Sequence, residues 1–453
     1  MFTRSVGMLT EVFGMPTLRV SMAPALLVLF CLSGLAAAAE KADAPPVERP
    51  KPLAAETGAS CEALASFDDL MRRFVRDNEL PGASLAVARK GRLVYARGFG
   101  YADLKRKQPV QPDSLFRIAS ISKPITAVAV MRLVDRGKLK LEDRVFDLLP
   151  HRPHLPKDRK PDPRLRKITI RQLLQHTAGW DRGISGDPMF ASVRIAESLG
   201  VDPPAAPEAI IRYTMGQKLD FEPGSRYAYS NFGYCLLGRV IEQVTGREYQ
   251  QHVQEDLLRP LGIRSMRIGS TLAAGRAKGE VCYYTRGDRT GKAVVGNRPG
   301  AEVPRPYGAW YLEAMDAHGG WIASAVDLVR FASAVDAKPS ELLSAASLRA
   351  MFARPDGPPG WETSGQPRPF YYGLGWSVRP VAAGGSNRWH AGALDGTSSL
   401  LVIRHDGLCW AVLFNSSQTP TGRRPAALID PLVHRAANAV REWPQHDLFD
   451  GDR

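Results

Sequence analysis

Two tight turns near opposite ends of the chain constrain its fold most. Near the start, Ser84–Arg89 and Arg92–Gly98 flank Lys90-Gly91; near the end, Ser398–Arg404 and Leu408–Phe414 flank His405-Asp406-Gly407. Short runs of this kind around a turn that ends in glycine read as β-hairpins. Each hairpin has a helix beside it in sequence. Phe67, Leu70, Met71, Phe74 and Val75 recur at helical spacing, which predicts an amphipathic helix over Ser66–Asn78. Ala426–Glu442 reads as a second helix, with Pro431 marking a kink. Between the hairpins, Thr126–Leu261 is mostly helical in period. The economical arrangement is α/β of the α+β kind: an antiparallel sheet built from both ends, flanked by terminal helices, with an all-helical domain inserted. In residue numbers, 61–104 and 305–445 form the sheet domain, 105–304 the mainly helical one, and 446–453 a tail.

The extreme N-terminus carries Arg4 and Arg19, then an apolar stretch from Ala23 to Leu35 and a run of alanines before Glu40. A positive flank, a short apolar core and an Ala-x-Ala-like site describe a secretory signal peptide over 1–39. Pro24, Ser33 and Gly34 interrupt the run and disfavour a retained membrane anchor. The expectation is therefore an exported protein, periplasmic or secreted, with Met15 and Met22 as alternative starts. Residues 40–60, with four prolines among Ala, Lys and Glu, read as an extended, solvated linker.

Of 453 residues, 60 are Lys or Arg and 46 Asp or Glu, a formal net charge of +14. Loss of the signal peptide leaves +13, so the basicity belongs to the mature chain. Eight Lys/Arg lie in Arg152–Arg171, but four prolines make this a loop rather than a nucleic-acid-binding helix. It reads as a solvated excursion, with a basic wall beside a substrate cleft as the sharper alternative. No nucleic-acid partner is expected; an acidic envelope surface would suit the charge. Five cysteines exclude a disulfide-built scaffold, and the apolar runs around Cys235 and Cys409 favour buried thiols. Cys-x-x-Cys and His-Glu-x-x-His are absent, so neither a metal nor a cofactor is implied, and His151 and His154 read as solvated loop residues. Gly-x-Ser-x-Gly is absent too, which disfavours an α/β-hydrolase.

Three short constellations carry the chemistry. Ser120-Ile-Ser-Lys123 opens an apolar helical run closed by Gly137, which places an amine one turn from a hydroxyl. A serine needs a base before it can attack, and a lysine serves only if its surroundings lower its pKa from about 10.4 towards about 7–8. Tyr229-Ser-Asn231 supplies a phenol that can shuttle a proton if cations lower its pKa. It also supplies an amide able to hold both an ammonium and a substrate carbonyl. His390-Ala-Gly392-Ala393 precedes a strand, and its glycine allows close backbone approach. The amides of Ser120 and Ala393 would together form an oxyanion hole.

In this order the three motifs resemble those of the serine β-lactamase and penicillin-binding-protein superfamily. Pro81–Val87, Gly98–Asp103, Ile168–Gly179, His318–Ala325 and Tyr372–Trp376 also look like that family's landmarks. The likeness is strongest to its class C-like branch of D,D-carboxypeptidases, D-aminopeptidases and β-lactamase-like esterases, and it covers about 67–440. It implies a β-lactamase/transpeptidase-like fold. Ser120 would be the acylated nucleophile, Lys123 its base and Tyr229 a proton-transfer partner. Asn231 would contact Lys123 and substrate, with His390, Gly392 and Ala393 lining the substrate site. His390 stands where β-lactamases carry a lysine, so a fixed cation becomes a titratable imidazole. The expected activity is hydrolysis of a small-molecule or peptide substrate, a D-amino-acid peptide or small ester rather than a β-lactam. The alternative is a penicillin-recognising or scaffold protein without turnover. Oligomeric state is left open.

Overall fold

The computed structural model describes residues 55–449, apart from 156, 158, 297–298, 341 and 383. The expected signal peptide, 1–39, and most of the expected linker lie outside the described residues. Both hairpins form. Strands β2 (Gly82–Arg89) and β3 (Arg92–Asp103) follow the short β1 (Glu56–Thr57), and the C-terminal half adds β4 (Tyr371–Tyr372), β5 (Ser377–Pro380), β6 (Ser386–Leu394), β7 (Thr397–Ile403) and β8 (Leu408–Phe414). Lys90 and Gly91 both take positive φ, 49° and 83°, as a two-residue hairpin turn demands. The antiparallel order is β1-β3-β2-β8-β7-β6-β5-β4, so the two hairpins meet where β2 pairs with β8.

Alternate residues of the central strands feed two cores. Ala83, Leu85, Val87, Trp410, Val412 and Phe414 face one layer, into which helices α1 (Ala65–Asp77) and α6 (Pro425–Ala439) pack. Ala86, Ala88, Cys409, Ala411 and Leu413 face the larger core, which holds the remaining helices. These include α2 (Ser122–Asp135), α3 (Ile170–Leu174), α4 (Asn231–Thr245) and α5 (Ala325–Asp336). Period-two alternation with both faces covered is why these strands are apolar throughout.

Four local expectations need correction. The linker reading ends before Glu56, whose strand pairs with β3 and whose carboxylate binds Arg72 at 2.7 Å and Arg97 at 3.0 Å. The described part of the tail, 446–449, is docked: Leu93 N–H donates to Asp447 at 2.9 Å, and Phe449 is buried beneath Arg330. The basic segment 152–171 is not free of structure. Its Asp162 caps a 3-10 turn over Pro163–Lys167, Leu165 is buried, and Ile170 starts α3. His151 and His154 are half-buried rather than solvated. Cys61, Cys235, Cys282 and Cys409 are all free thiols, with Cys235 and Cys409 buried. Among the described residues no helix is long and apolar enough to cross a membrane.

Candidate active site

The chain enters the site through Phe116–Arg117, paired with Trp321–Ala323 in a small separate sheet. Two hydroxyls of β7 dock this segment on the main sheet. Thr397 Oγ1 donates to Arg117 O at 2.7 Å, and Ser399 Oγ donates to Ile118 O at 2.8 Å. Ala119 then takes φ 47°, a left-handed conformation that costs an L-residue about 1–2 kcal/mol. A 3-10 turn over Ala119–Ile121 leads into α2, so Ser120 sits just ahead of the helix rather than within it. From Ser114 to Met131, Ser120 is the one residue that is not fully buried. The backbone strain and the dry surroundings together present a single hydroxyl to a cleft of about 600 Å³.

Lys123 lies beneath it, fully buried. Its Nζ donates to Ser120 Oγ at 3.2 Å, Asn231 Oδ1 at 2.8 Å and His318 O at 2.8 Å. Burial holds the amine well below the ordinary lysine range; Asp187 opposes this and Arg182 adds to it. Asn231 is placed by capping, because Ser230 Oγ accepts from Gly233 N–H and makes Asn231 the first residue of α4. Tyr229 follows from the same loop. Its phenol engages the Ser120 side chain, and its ring lies 4.7 Å from Lys123 Nζ. The condition set for Tyr229, a pKa lowered by cations, is not met: burial raises it, and the contact with Ser120 and the nearby Arg182 do not reverse that. This phenol stays protonated.

The third motif lies inside β6 itself. A two-residue turn, Asp395-Gly396, makes Leu394 and Thr397 the closing pair of the β6–β7 hairpin. Pairing alternates along an antiparallel ladder, so the Ala393 N–H points away from β7. On that side β5 has ended, since it pairs only with residues 386–389. The free amide therefore borders the cleft with Ser120. Gly392 permits the approach, for a Cβ there would lie 2.1 Å from Ile118 O and 3.0 Å from Ser120 N.

His390 is buried, and its Nδ1 lies 2.8 Å from the carbonyl of Ala391. A carbonyl accepts, so Nδ1 carries the proton and Nε2 accepts from the Tyr372 hydroxyl at 2.9 Å. Burial, reinforced by Lys123, pushes the imidazole pKa down to about 3. His390 is thus a neutral residue in the working pH range, and the imidazole read from the sequence as titratable does not titrate there.

All the residues singled out in the three motifs converge here, and Ser120, Tyr229, Asn231, His390 and Ala393 line one cleft. No described residue of 152–171 lines it. Several contributors escaped sequence reasoning. His176 adopts φ 58° and accepts the Ser230 N–H at Nδ1, 3.1 Å away, which pins the Tyr229 loop. Its place in the Ile168–Gly179 landmark was the available signal. Asp187 accepts from Asn231 Nδ2 at 2.7 Å, so one of the two amide protons expected to serve substrate is taken. No local pattern marks it. Among the described residues, no His, Cys, Asp and Glu cluster suits a metal ion.

The family profile described as Beta-lactamase matches residues 67–434. Esterase EstB of Burkholderia gladioli is 32% identical over 390 residues, spanning 82% of this chain and 95% of that protein. Among solved structures, the octameric penicillin-binding protein homologue from Pyrococcus abyssi superposes with a TM-score of 0.61 at 26% identity, covering 82% of this chain and 77% of that one. A D-stereospecific amidohydrolase from Streptomyces sp. gives 0.56 at 25% identity, covering 78% and 94%.

Proposed function

The chain belongs to the β-lactamase family, and from that premise we propose that it is an exported serine hydrolase that forms an acyl-enzyme through Ser120 and hydrolyses a small ester or a D-amino-acid amide. The observation that carries the reading is the buried Lys123 amine, 3.2 Å from the one hydroxyl of its segment that reaches the cleft. Burial lowers the proton affinity of the Lys123 amine, which suits it to be the base that takes the serine proton.

The residues then divide the work. Ser120 Oγ attacks the carbonyl carbon and passes its proton to Lys123 Nζ. The tetrahedral oxyanion is received by the amides of Ser120 and Ala393, each such donor being worth about 3–4 kcal/mol in the transition state. Tyr229, held protonated by burial, gives its proton to the leaving alkoxide or amine and regains one from Lys123. Water, with its proton drawn by the same pair, hydrolyses the acyl-enzyme. No cofactor is needed for any of these steps.

Choice of substrate rests on His390. A neutral imidazole offers no charge to a substrate carboxylate, which favours esters and amides over β-lactams. The likeness to an esterase and to a D-stereospecific amidohydrolase points the same way. The test is a panel of a short-chain nitrophenyl ester, a D-alanyl-D-alanine peptide and nitrocefin, with Ser120→Ala as the blank. Sustained, Ser120-dependent turnover of the ester or peptide supports the reading. A single acylation equivalent with every compound would support the non-turnover alternative instead.

A further inference from the structure

Asn231 is held at both ends, by an amine that donates and a carboxylate that accepts. Its Oδ1 accepts from the Lys123 ammonium position at 2.8 Å, and its Nδ2 donates to Asp187 Oδ2 at 2.7 Å. The carboxylate is itself fixed, because Asp187 Oδ1 accepts from Met189 N–H at 3.1 Å where Asp187 caps the turn over Pro188–Phe190. An amide has one acceptor end and one donor end. Turning this one over would set its N–H groups against an amine and its oxygen against a carboxylate, two repulsive contacts in place of two attractive ones.

We propose that Asp187 is a positioning residue of the acyl-transfer site: it locks the Asn231 side chain with its oxygen on Lys123 and supplies the negative charge that balances that lysine. The proposal rests on the reading of Lys123 as the base. The surroundings of Lys123 make the balance specific. His176, His318 and His390 are neutral imidazoles there, Tyr229 and Tyr234 present ring faces at 4.7 and 5.6 Å, and Arg182 carries a like charge. Among the ionisable groups around it, Asp187 is the one that favours the ammonium form, which lets Lys123 hold the serine proton once it has taken it; burial pushes the Asp187 carboxyl up, and the Asn231 amide, the Met189 N–H and Lys123 work against that.

Two substitutions separate orientation from charge. Asp187→Asn keeps an oxygen for Asn231 Nδ2 but removes the anion; Asp187→Ala removes both. With whichever ester the wild type turns over, kcat and KM are measured from about pH 5 to 10, with Ser120→Ala as the blank. For Asp187→Asn, KM should change less than about twofold while the acid limb of kcat/KM moves down by about half a pH unit, a threefold change in proton affinity. For Asp187→Ala, kcat should fall at least about tenfold at every pH, with near-ultraviolet circular dichroism unchanged. The Lys123 titration, followed by carbon NMR of lysine-labelled protein, should move the same way in Asp187→Asn. That readout decides the proposal even if no ester is turned over, which would be a failure of the hydrolase reading alone. A Lys123 titration that stays put or rises in Asp187→Asn overturns the proposal. So does an Asp187→Ala enzyme that keeps wild-type kcat and loses only thermal stability.

Discussion

The Tyr372 hydroxyl lies 2.9 Å from His390 Nε2 and donates to it, which fixes the imidazole as the neutral Nδ1–H tautomer. Two consequences follow, one for stability against pH and one for substrate choice.

For a histidine whose folded pKa is depressed to about 3, the unfolded chain binds the extra proton first, near about pH 6.5. The stability it contributes is complete above that value and is lost progressively as pH falls towards the folded pKa. The slope is up to about 1.4 kcal/mol per pH unit for one such group. Urea unfolding between about pH 6.5 and 4 should therefore be less steeply pH-dependent in His390→Gln than in the wild type, by close to one proton. Equal slopes would show that His390 titrates normally in the folded protein.

On substrates, the wild type should hydrolyse nitrocefin at least about a hundredfold less efficiently than its preferred ester or peptide, an interval of roughly 2.7 kcal/mol. His390→Lys should narrow that interval by restoring a cation at the position. A wild type that prefers nitrocefin would reverse the assignment of substrate class.

Gly392→Ala should uncouple β6 from the nucleophile turn. Its Cβ would meet Ile118 O at 2.1 Å, so the strand or the turn must move. Displacing the Ala393 donor should lower kcat by about 10²–10³, with KM changed far less. Steady-state kinetics on a folded variant checks this; unaltered kcat would remove Ala393 from the oxyanion hole.

His176→Ala should cost about 1–3 kcal/mol in stability, because the buried Ser230 amide loses its acceptor. The Tyr229–Asn231 loop then loses its anchor, and kcat should drop with it. Denaturant unfolding and kinetics on one preparation test both. A variant as stable and active as wild type would leave His176 without this role.

Much of the architecture is legible in local spacing. Hairpin turns at Lys90-Gly91 and His405-Asp406-Gly407, the apolar face of α1 and the Ser120–Lys123 pair all declare themselves within one or two turns of chain. Other features depend on partners that sequence proximity does not reveal. Asp187 meets Asn231 from 44 residues away, and His176 meets Ser230 from 54. Burial is equally hidden, and burial sets the state of His390 and Tyr229; a sequence shows an imidazole and a phenol but not the dry pocket that holds both neutral. The Glu56–Thr57 strand went unread because two residues among prolines carry no periodicity, and its place comes from Arg72 and Arg97.

The central claim is that Ser120 carries the acyl group. Rapid quenching of the wild type with a slowly deacylated ester, followed by intact-mass and peptide mapping, tests it directly. One acyl adduct is expected, on Ser120, together with a loss of turnover of about 10⁴-fold and of the adduct in Ser120→Ala. An adduct on another residue, or a Ser120→Ala protein that turns over substrate like the wild type, would contradict it.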